Sequence, residues 1–363
     1  MLRSPAQRGF FIAENQCYSS KSRIFKKMAT VSIKDIAREV GVSTTTVSFV
    51  LNGKAKEKRI SDELKDRVLS VAQRLNYRPN QVARGLRTGQ SHTLGLIVED
   101  ISNPFFAHLA RHVEHEADKY GYTVMFCSTE NDDKKAAGLL YMLRHRQMDG
   151  FIIIPTPGMR QDLCELVAEK KPLVLVDRYF PDVETCHVTV DNYMGAHDAV
   201  KLLIEKGYQH IALVTLDSTQ TQMKERELGY IEAMDEHGRS VSPEMTLHVP
   251  FDTSDEQTVG TIMDWLARNP EIDALFFTTN YLGVAGLDAI RRSGRRIKED
   301  LGVICFDDSI LFRLGSPTVT AIVQPIREMG RQAVRMIIDM IQKKQDQVVK
   351  QTFAPVIVER EST

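Results

Sequence analysis

Short apolar runs alternate with longer stretches of helical periodicity along most of the chain. A helical stretch follows each apolar run of a first series, at 94–98, 123–127, 151–154 and 173–176. Short apolar strands that alternate with helices are typical of parallel sheets covered on both faces. A second series runs from residue 191 to residue 305, and a last strand is predicted over 352–358. The pattern therefore predicts an α/β core of two similar, doubly wound parallel-sheet subdomains.

The chain before residue 93 has a different periodicity, which predicts three short helices. Ser32 and Asp35 have the spacing of a capping box, and Gly41 ends the helix that they begin. Ser43 and Ser61 are placed to cap the second and third helices. Three short helices with a tight turn between the first two describe a small all-α helix-turn-helix.

The second of these helices, predicted over 44–51, is poor in strong helix formers and rich in short hydroxyl side chains. With the capping residue, the hydroxyl side chains are Ser43, Thr44, Thr45, Thr46 and Ser48. Such side chains let a helix lie deep in a major groove and bond base edges or phosphates. Phe49 would contact thymine methyl groups from the outer face, or it would pack into the small core; both interpretations stay open.

Basic residues are concentrated in the first part of the chain. Residues 28–90 carry 12 Lys and Arg against 6 Asp and Glu, whereas residues 91–363 carry 29 against 41. A basic head on an acidic body indicates that only the head meets a polyanion, and random surface charge is the alternative. The loop after the second helix suits phosphate contacts, unless it is merely a solvated loop, through Lys54, Lys56, Lys58 and Arg59.

Composition and motifs exclude several classes of protein. No apolar run approaches the length of a membrane helix. The five cysteines form no C-x-x-C pair, so we expect neither a metal site nor a disulfide framework, which fits a reducing cytoplasm. No glycine-rich phosphate fingerprint follows the first strand, and no G-x-S-x-G, H-E-x-x-H or paired catalytic carboxylates emerge. We therefore expect no catalytic residues, no metal and no cofactor.

The first 27 residues are basic and lack the apolar segment of a signal peptide. They are followed by Met28-Ala29-Thr30, which has the form of a natural start. We expect residues 1–27 to be either a mis-assigned upstream extension or a disordered arm.

Two segments carry a resemblance to a known family. The sequence VSIKDIAREVGVSTTTVSFVLNG at 31–53 and the sequence LNYRPNQVARGL at 75–86 resemble the head and the hinge of the lactose/galactose repressor (LacI/GalR) family. The resemblance extends from Met28 to Thr363. It implies a periplasmic-binding-protein-like core, a homodimer, a palindromic operator DNA and a small-molecule effector. Phe49 departs from the family, which often has Arg or His there, so the base read at that position should differ and favour thymine.

The hinge segment is predicted to form a short helix. Pro79 stops the preceding structure, and Asn80 can cap a helix over 81–87 that is too short to be stable alone. The resemblance implies that Leu86 inserts into a base step from the minor groove. It also implies that Ala83 faces the groove and the hinge helix of the second protomer. A plain flexible linker is the alternative.

Ligands of parallel sheets lie at the carboxyl ends of the strands. The resemblance places effector contacts among the loops that follow strands, at Phe106, Asp191, Arg226, Phe251, Asn280 and Asp307. Phe105 is added because two adjacent aromatic residues on a loop suit stacking on a sugar or a base. Carboxylates, amides and an arginine around aromatic rings suit a polyol. Phe105 or Phe106 could instead belong to the core, and Asp191 could be purely structural. The segment 218–223 lacks the arginine of purine-binding relatives, so a carbohydrate is favoured over a purine.

The predicted organisation follows from these elements. The boundaries are 1–27 for the extension, 28–76 for the head, 77–90 for the hinge, about 91–190 with 324–346 for one subdomain, and 191–323 with 347–363 for the other. No leucine heptad follows the last strand, so we expect a dimer on half-sites roughly 10 bp apart. A solute-binding or enzymatic domain with an incidental helical head is the competing interpretation.

Overall fold

The computed structural model describes residues 31–77, 89–344 and 347–363. The chain divides into two compact units, with the division between Arg84 and Gly85. The hinge residues Asn80, Ala83 and Leu86 and the first 30 residues lie outside the described part, so their predicted roles stay predictions.

The first unit is a three-helix domain built on serine caps. Its helices are α1 (Ile33–Val40), α2 (Thr44–Leu51) and α3 (Asp62–Arg74). The capping box of α1 is confirmed, since the Ser32 amide and hydroxyl both donate to the Asp35 carboxylate at 2.9 and 2.7 Å. Gly41 ends α1 in the left-handed region at φ 77°. The core shared by the three helices includes Ile36, Val40, Val47, Val50, Ala55, Val68 and Ala72.

The second unit contains two six-stranded sheets that lie in separate subdomains. The first sheet has the order β11-β5-β4-β3-β1-β2 and is parallel throughout. Its strands are β1 (Thr93–Val98), β2 (Thr123–Ser128), β3 (Gly150–Ile153), β4 (Leu173–Val176), β5 (Cys186–Val190) and β11 (Lys350–Phe353). Its helices are α4 (Pro104–Asp118), α5 (Asp133–His145), α6 (Arg160–Ala168) and α12 (Ile326–Ile341).

The second sheet has the order β12-β10-β9-β8-β6-β7 and is parallel except for the pair β10 and β12. Its strands are β6 (Ile211–Leu216), β7 (Thr246–Val249), β8 (Ala274–Phe277), β9 (Gly302–Phe306), β10 (Thr320–Val323) and β12 (Val356–Val358). Its helices are α7 (Asn192–Glu205), α8 (Thr221–Glu236), α9 (Asp255–Arg268), α10 (Asn280–Arg292) and α11 (Ile310–Leu314). The prediction of two doubly wound parallel-sheet subdomains is confirmed.

The end of the chain differs from the prediction. The single strand expected over 352–358 is two strands in different sheets, β11 and β12. Ala354 and Pro355 separate them, and a proline has no backbone N–H to continue a ladder. The assignment of 347–363 to one subdomain was therefore wrong, because residues up to Phe353 complete the first sheet. Within the described ranges, no helix is long and apolar enough to cross a membrane.

Candidate functional site

The exposed face of α2 is a candidate nucleic-acid interface. Val47 and Val50 are buried, so Thr45 and Phe49 lie on the opposite side of the helix. Thr44 and Thr45 are exposed. Ser43 and Thr46 are engaged in capping, because the Ser43 hydroxyl accepts from the Thr46 amide at 3.0 Å.

The remaining predicted residues of this surface have distinct environments. The Ser48 carbonyl and hydroxyl both accept from the Asn52 side-chain amide, at 2.7 and 3.3 Å. Phe49 is half-buried but is not one of the described residues that form the core cluster of the head. The ammonium of Lys58 lies over its ring, 5.5 Å from the ring centroid. The structure therefore places Phe49 under a lysine rather than in the core. Lys54 is exposed beyond the end of α2.

A second candidate site is the cleft between the two subdomains of the second unit. It lies where strands end, since Glu99 follows β1, Asp177 follows β4 and Asp307 follows β9. This is the edge at which parallel sheets bind ligands. The lining residues are Glu99, Asn103, Phe105, Phe106, Asp177, Arg178, Leu216, Gln220, Gln222, Met223, Arg226, Thr279, Asn280, Tyr281 and Asp307.

Arg226 is a buried side chain that is held by contacts on several sides. Its Nε donates to the Asn192 side-chain carbonyl at 2.9 Å, and its Nη1 donates to the Thr278 carbonyl at 2.6 Å. The guanidinium lies 3.6 Å from the centroid of the Phe306 ring. Burial lowers the pKa of Arg226, although the Asp307 carboxylate opposes that shift. The guanidinium is therefore held in one orientation before any ligand arrives.

Asp307 is paired with this arginine, with 3.7 Å between its carboxylate and Nη1 of Arg226. Its other oxygen accepts from the Gln324 side-chain amide at 2.7 Å. Burial raises the pKa of Asp307 to about 6, although Arg226 and Gln324 favour the charged form. The carboxylate therefore changes charge close to physiological pH.

A second buried arginine, Arg178, also lines the cleft. Arg178 donates to Glu99 at 2.6 Å and to Asp177 at 3.1 Å, and all three side chains are buried. Burial by itself would lower the pKa of Arg178, but the two carboxylates outweigh it and raise that pKa. The whole group is therefore a buried ion-pair triad.

Polar contacts also join the two subdomains across the cleft. Asn103 and Asn280 exchange side-chain amide hydrogen bonds at 3.4 and 3.1 Å. Gln220 donates to the Asn131 side-chain carbonyl at 3.3 Å. Each pair has one member in each subdomain, so these contacts bridge the cleft.

One buried acceptor in the cleft has no partner. Among the described residues, Gln222 is one of those with a buried side-chain oxygen that accepts no hydrogen bond, and its side chain is only 3% exposed. A buried acceptor that is left unpaired costs about 1–3 kcal/mol. A ligand that donates to Gln222 would remove this cost.

The structure brings together most, not all, of the predicted effector residues. Phe105, Phe106, Arg226, Asn280 and Asp307 line the cleft, and the two phenylalanines also belong to the core of the first subdomain.

Two predicted residues do not line this cleft. Asp191 caps α7 by accepting from the Met194 amide at 2.9 Å, and its neighbour Asn192 is the residue that contacts Arg226. Phe251 lines an adjoining groove, because it follows β7 at the edge of the second sheet. The geometry therefore favours the interpretation that Asp191 is a structural residue, which caps a helix, over the interpretation that it contacts the effector.

Several cleft residues were missed by the sequence reasoning. Glu99 and the pair Asp177-Arg178 directly follow apolar strands, so the rule that ligands lie at strand ends could have found them. Gln222 and Tyr281 lie in the first turns of helices α8 and α10, where the sequence gives no periodic signal that distinguishes a ligand contact from an ordinary surface residue.

A small helix-turn-helix unit joined to a two-subdomain ligand cleft defines a ligand-responsive DNA-binding protein. The family model for bacterial regulatory proteins of the lacI family matches residues 32–80, and the model for the periplasmic binding protein-like domain matches 200–363. The chain is 32% identical to the HTH-type transcriptional regulator RegA of Clostridium saccharobutylicum, over 93% of this chain and 100% of that relative. It is 34% identical to the HTH-type transcriptional repressor PurR of Aliivibrio fischeri (strain MJ11), over 92% of this chain and 98% of the relative.

Solved structures agree on the fold. The lac repressor dimer bound to operator and the anti-inducer ONPF aligns with a TM-score of 0.81 at 20% identity, covering 92% of this chain and 99% of that one. The complex of the transcriptional regulator CelR with cellobiose aligns with a TM-score of 0.68 at 25% identity, covering 92% and 100%. The chain belongs to the LacI family of bacterial regulatory proteins. It is a sequence-specific DNA-binding transcriptional regulator that responds to a small-molecule effector, and its relatives are regulators rather than enzymes.

Proposed function

We propose that this regulator is a homodimeric repressor whose operator affinity is controlled by a neutral sugar or sugar derivative bound between the subdomains. Arg226, Asp307 and Asn280 would hold the effector hydroxyls, and Phe105 and Phe106 would cover an apolar face of the ring. The observation that carries this proposal is the charge balance of the cleft, in which both arginines already have carboxylate partners.

The charge balance argues against an anionic effector. Arg178 is paired with Glu99 and Asp177, and Arg226 is paired with Asp307. The described lining residues thus include three carboxylates and two guanidinium groups. A phosphate ester would meet an excess of negative charge in a buried setting, which costs binding free energy. A polyol brings hydroxyl groups that donate to carboxylates without adding a charge.

Hydrogen-bond capacity supports the same class of effector. The unpaired oxygen of Gln222 requires a donor, and a sugar hydroxyl is one. Phe105 and Phe106 meet edge to face with centroids 5.0 Å apart, so their rings present both an edge and a face. A sugar has an apolar face of C–H groups that can lie against such rings.

The head would read the operator through α2. We propose major-groove contacts by Thr44, Thr45, Ser48 and Phe49, with Ser43, Thr46 and Lys54 at the backbone. A homodimer places two such helices on half-sites about one helical turn apart, roughly 10 bp. Effector closure of the cleft would change operator affinity through a coupling free energy of typically about 1–3 kcal/mol. No catalytic step is proposed.

Titration calorimetry with the full-length protein tests the effector class. We expect a neutral sugar to bind more tightly than its phosphorylated form and more tightly than hypoxanthine or guanine. Tighter binding of a sugar phosphate or of a purine base would contradict the proposed class. The screen should include pentoses, hexoses and disaccharides, each with the phosphorylated counterpart where one exists.

Effector affinity should depend on pH through Asp307. Effector hydroxyls donate to the ionised carboxylate, so binding is favoured above its pKa of about 6 and is lost as the pH falls through that value. Calorimetry from pH 5 to pH 8 should show affinity rising up to about tenfold per pH unit below pH 6 and constant above pH 7. The Asp307→Asn variant should bind weakly with no such dependence. Affinity that falls with rising pH would show that Asp307 acts as a protonated donor.

A further inference from the structure

We propose that Lys58, held over the ring of Phe49, is a specificity-determining residue that reads guanine in the major groove. Phe49 and Lys58 would act as one composite reading element. Phe49 contacts a thymine methyl group, and the Lys58 ammonium donates to O6 and N7 of a guanine in the neighbouring base pair. The inference rests on the proposed operator recognition by α2 and is independent of the effector class.

The reading helix lacks the side chains that usually distinguish bases. Thr44–Leu51 contains threonines, a serine and apolar residues, and it has no Arg, Lys, Asn or Gln. Arg or Lys to guanine and Asn or Gln to adenine are the usual specific contacts. The helix itself can therefore supply only hydroxyl and apolar contacts. A cationic donor for guanine has to come from a neighbouring segment.

Lys58 is placed to supply that donor. Its ammonium lies 5.5 Å from the centroid of the Phe49 ring, and Phe49 faces outward from α2. Base pairs are stacked about 3.4 Å apart. If the Phe49 ring contacts one base pair, an ammonium 5.5 Å from the ring centroid reaches the acceptors of the neighbouring base pair. The lysine side chain is 42% exposed, so it is accessible to a bound duplex.

The segment that carries Lys58 has a defined backbone conformation. The segment begins at Lys54, whose backbone amide donates to the Phe49 carbonyl at 2.9 Å. The Lys58 amide donates to the Lys54 carbonyl at 3.0 Å, and the Ile60 amide donates to the Ala55 carbonyl at 2.9 Å. Ala55 is buried in the core of the head, which anchors the turn. The lysine therefore extends from a hydrogen-bonded turn that is anchored to the core of the head.

The current partner of Lys58 is easily exchanged. Glu57 lies 3.0 Å from the ammonium, but its side chain is 59% exposed. Exposed ion pairs contribute little to stability, so a guanine edge can replace this carboxylate. Lys56 occupies the same turn and is exposed. It is the matched control for a lysine that contacts only phosphates.

The test measures specificity rather than affinity alone. Full-length protein first selects its operator from a random duplex library. Wild type, Lys58→Ala and Lys56→Ala are then titrated against the selected duplex and all its single-base-pair variants at three salt concentrations. We expect Lys58→Ala to lose discrimination at one G·C pair by about 10- to 100-fold while other preferences stay. Lys56→Ala should weaken binding to every duplex equally and reduce the salt slope by about 1.

Two further variants define the role of the pair. Phe49→Leu keeps an apolar side chain but removes the ring, so it should weaken the preference for the same guanine. Lys58→Arg should retain that preference, because arginine also bonds O6 and N7 of guanine. Uniform weakening by Lys58→Ala, or a selected operator with no such G·C pair, would overturn the inference. If wild type selects no duplex at all, the proposed repressor function fails as well.

Discussion

Arg226→Lys is expected to weaken effector binding by at least about 100-fold relative to wild type. Lysine keeps the charge beside Asp307, but it loses the planar fork that bonds Asn192 and the Thr278 carbonyl. These two internal bonds hold the guanidinium in place, so without them the cation no longer meets the effector hydroxyls. Hydrogen bonds that involve a charged group contribute about 1.5–3 kcal/mol each, and the loss of two such bonds to the effector accounts for the weaker affinity. Titration calorimetry measures the effect with the neutral sugar that binds wild type most tightly.

The control for this prediction is Arg268→Lys, because Arg268 is exposed on α9 and away from the lining of the cleft. It should bind effector as wild type does. Operator affinity without effector should be unchanged in both variants, since the head is a separate compact unit. Asp307→Ala should lose the effector response in the same way. A normal response in either cleft variant would remove that residue from the binding site.

Arg178→Met is expected to destabilise the effector-binding unit by about 3–5 kcal/mol. The substitution leaves the Glu99 and Asp177 carboxylates buried without their counter-ion, and removing one partner of a buried ion pair has a cost of this size. Urea denaturation followed by circular dichroism measures the change. Trp265, which is the single tryptophan of the chain and is buried, provides a second probe in the other subdomain.

Two variants separate this explanation from a general effect of losing an arginine. Arg160→Met breaks an exposed ion pair with Asp182 and should leave the unfolding midpoint unchanged. Adding Glu99→Gln to Arg178→Met removes one of the two uncompensated charges and should recover part of the lost stability. A double variant that is less stable than Arg178→Met would show that packing, rather than charge, dominates at this position.

Local signals in the sequence predicted the elements well. The serine caps at Ser32, Ser43 and Ser61 predicted the starts of the three head helices, because the hydrogen bonds of a cap join residues only a few positions apart in the sequence. The alternation of short apolar runs with helices predicted both parallel sheets, because this alternation is also a local pattern in the sequence. The partition of the last strands was wrong because the choice of sheet depends on long-range pairing, which no local pattern encodes.

The candidate site was predicted less completely. Arg226 and Asp307 were found through the family resemblance, but the triad of Glu99, Asp177 and Arg178 was not. Its members come from two strands that are distant in sequence, and only the order of the strands in the sheet brings them together. Phe49 shows the same limit, because its contact with Lys58 depends on how the chain turns after α2.

We propose that a neutral effector in the cleft controls binding of the head to operator DNA. Fluorescence anisotropy with the selected operator, with and without the sugar that binds most tightly, tests it directly. We expect the sugar to change operator affinity by about 5- to 150-fold. We also expect affinity to fall steeply as salt rises, because the basic head displaces counterions from phosphates. Operator affinity that is insensitive to salt, or identical with and without a bound sugar, would show that the cleft does not control the head in this way.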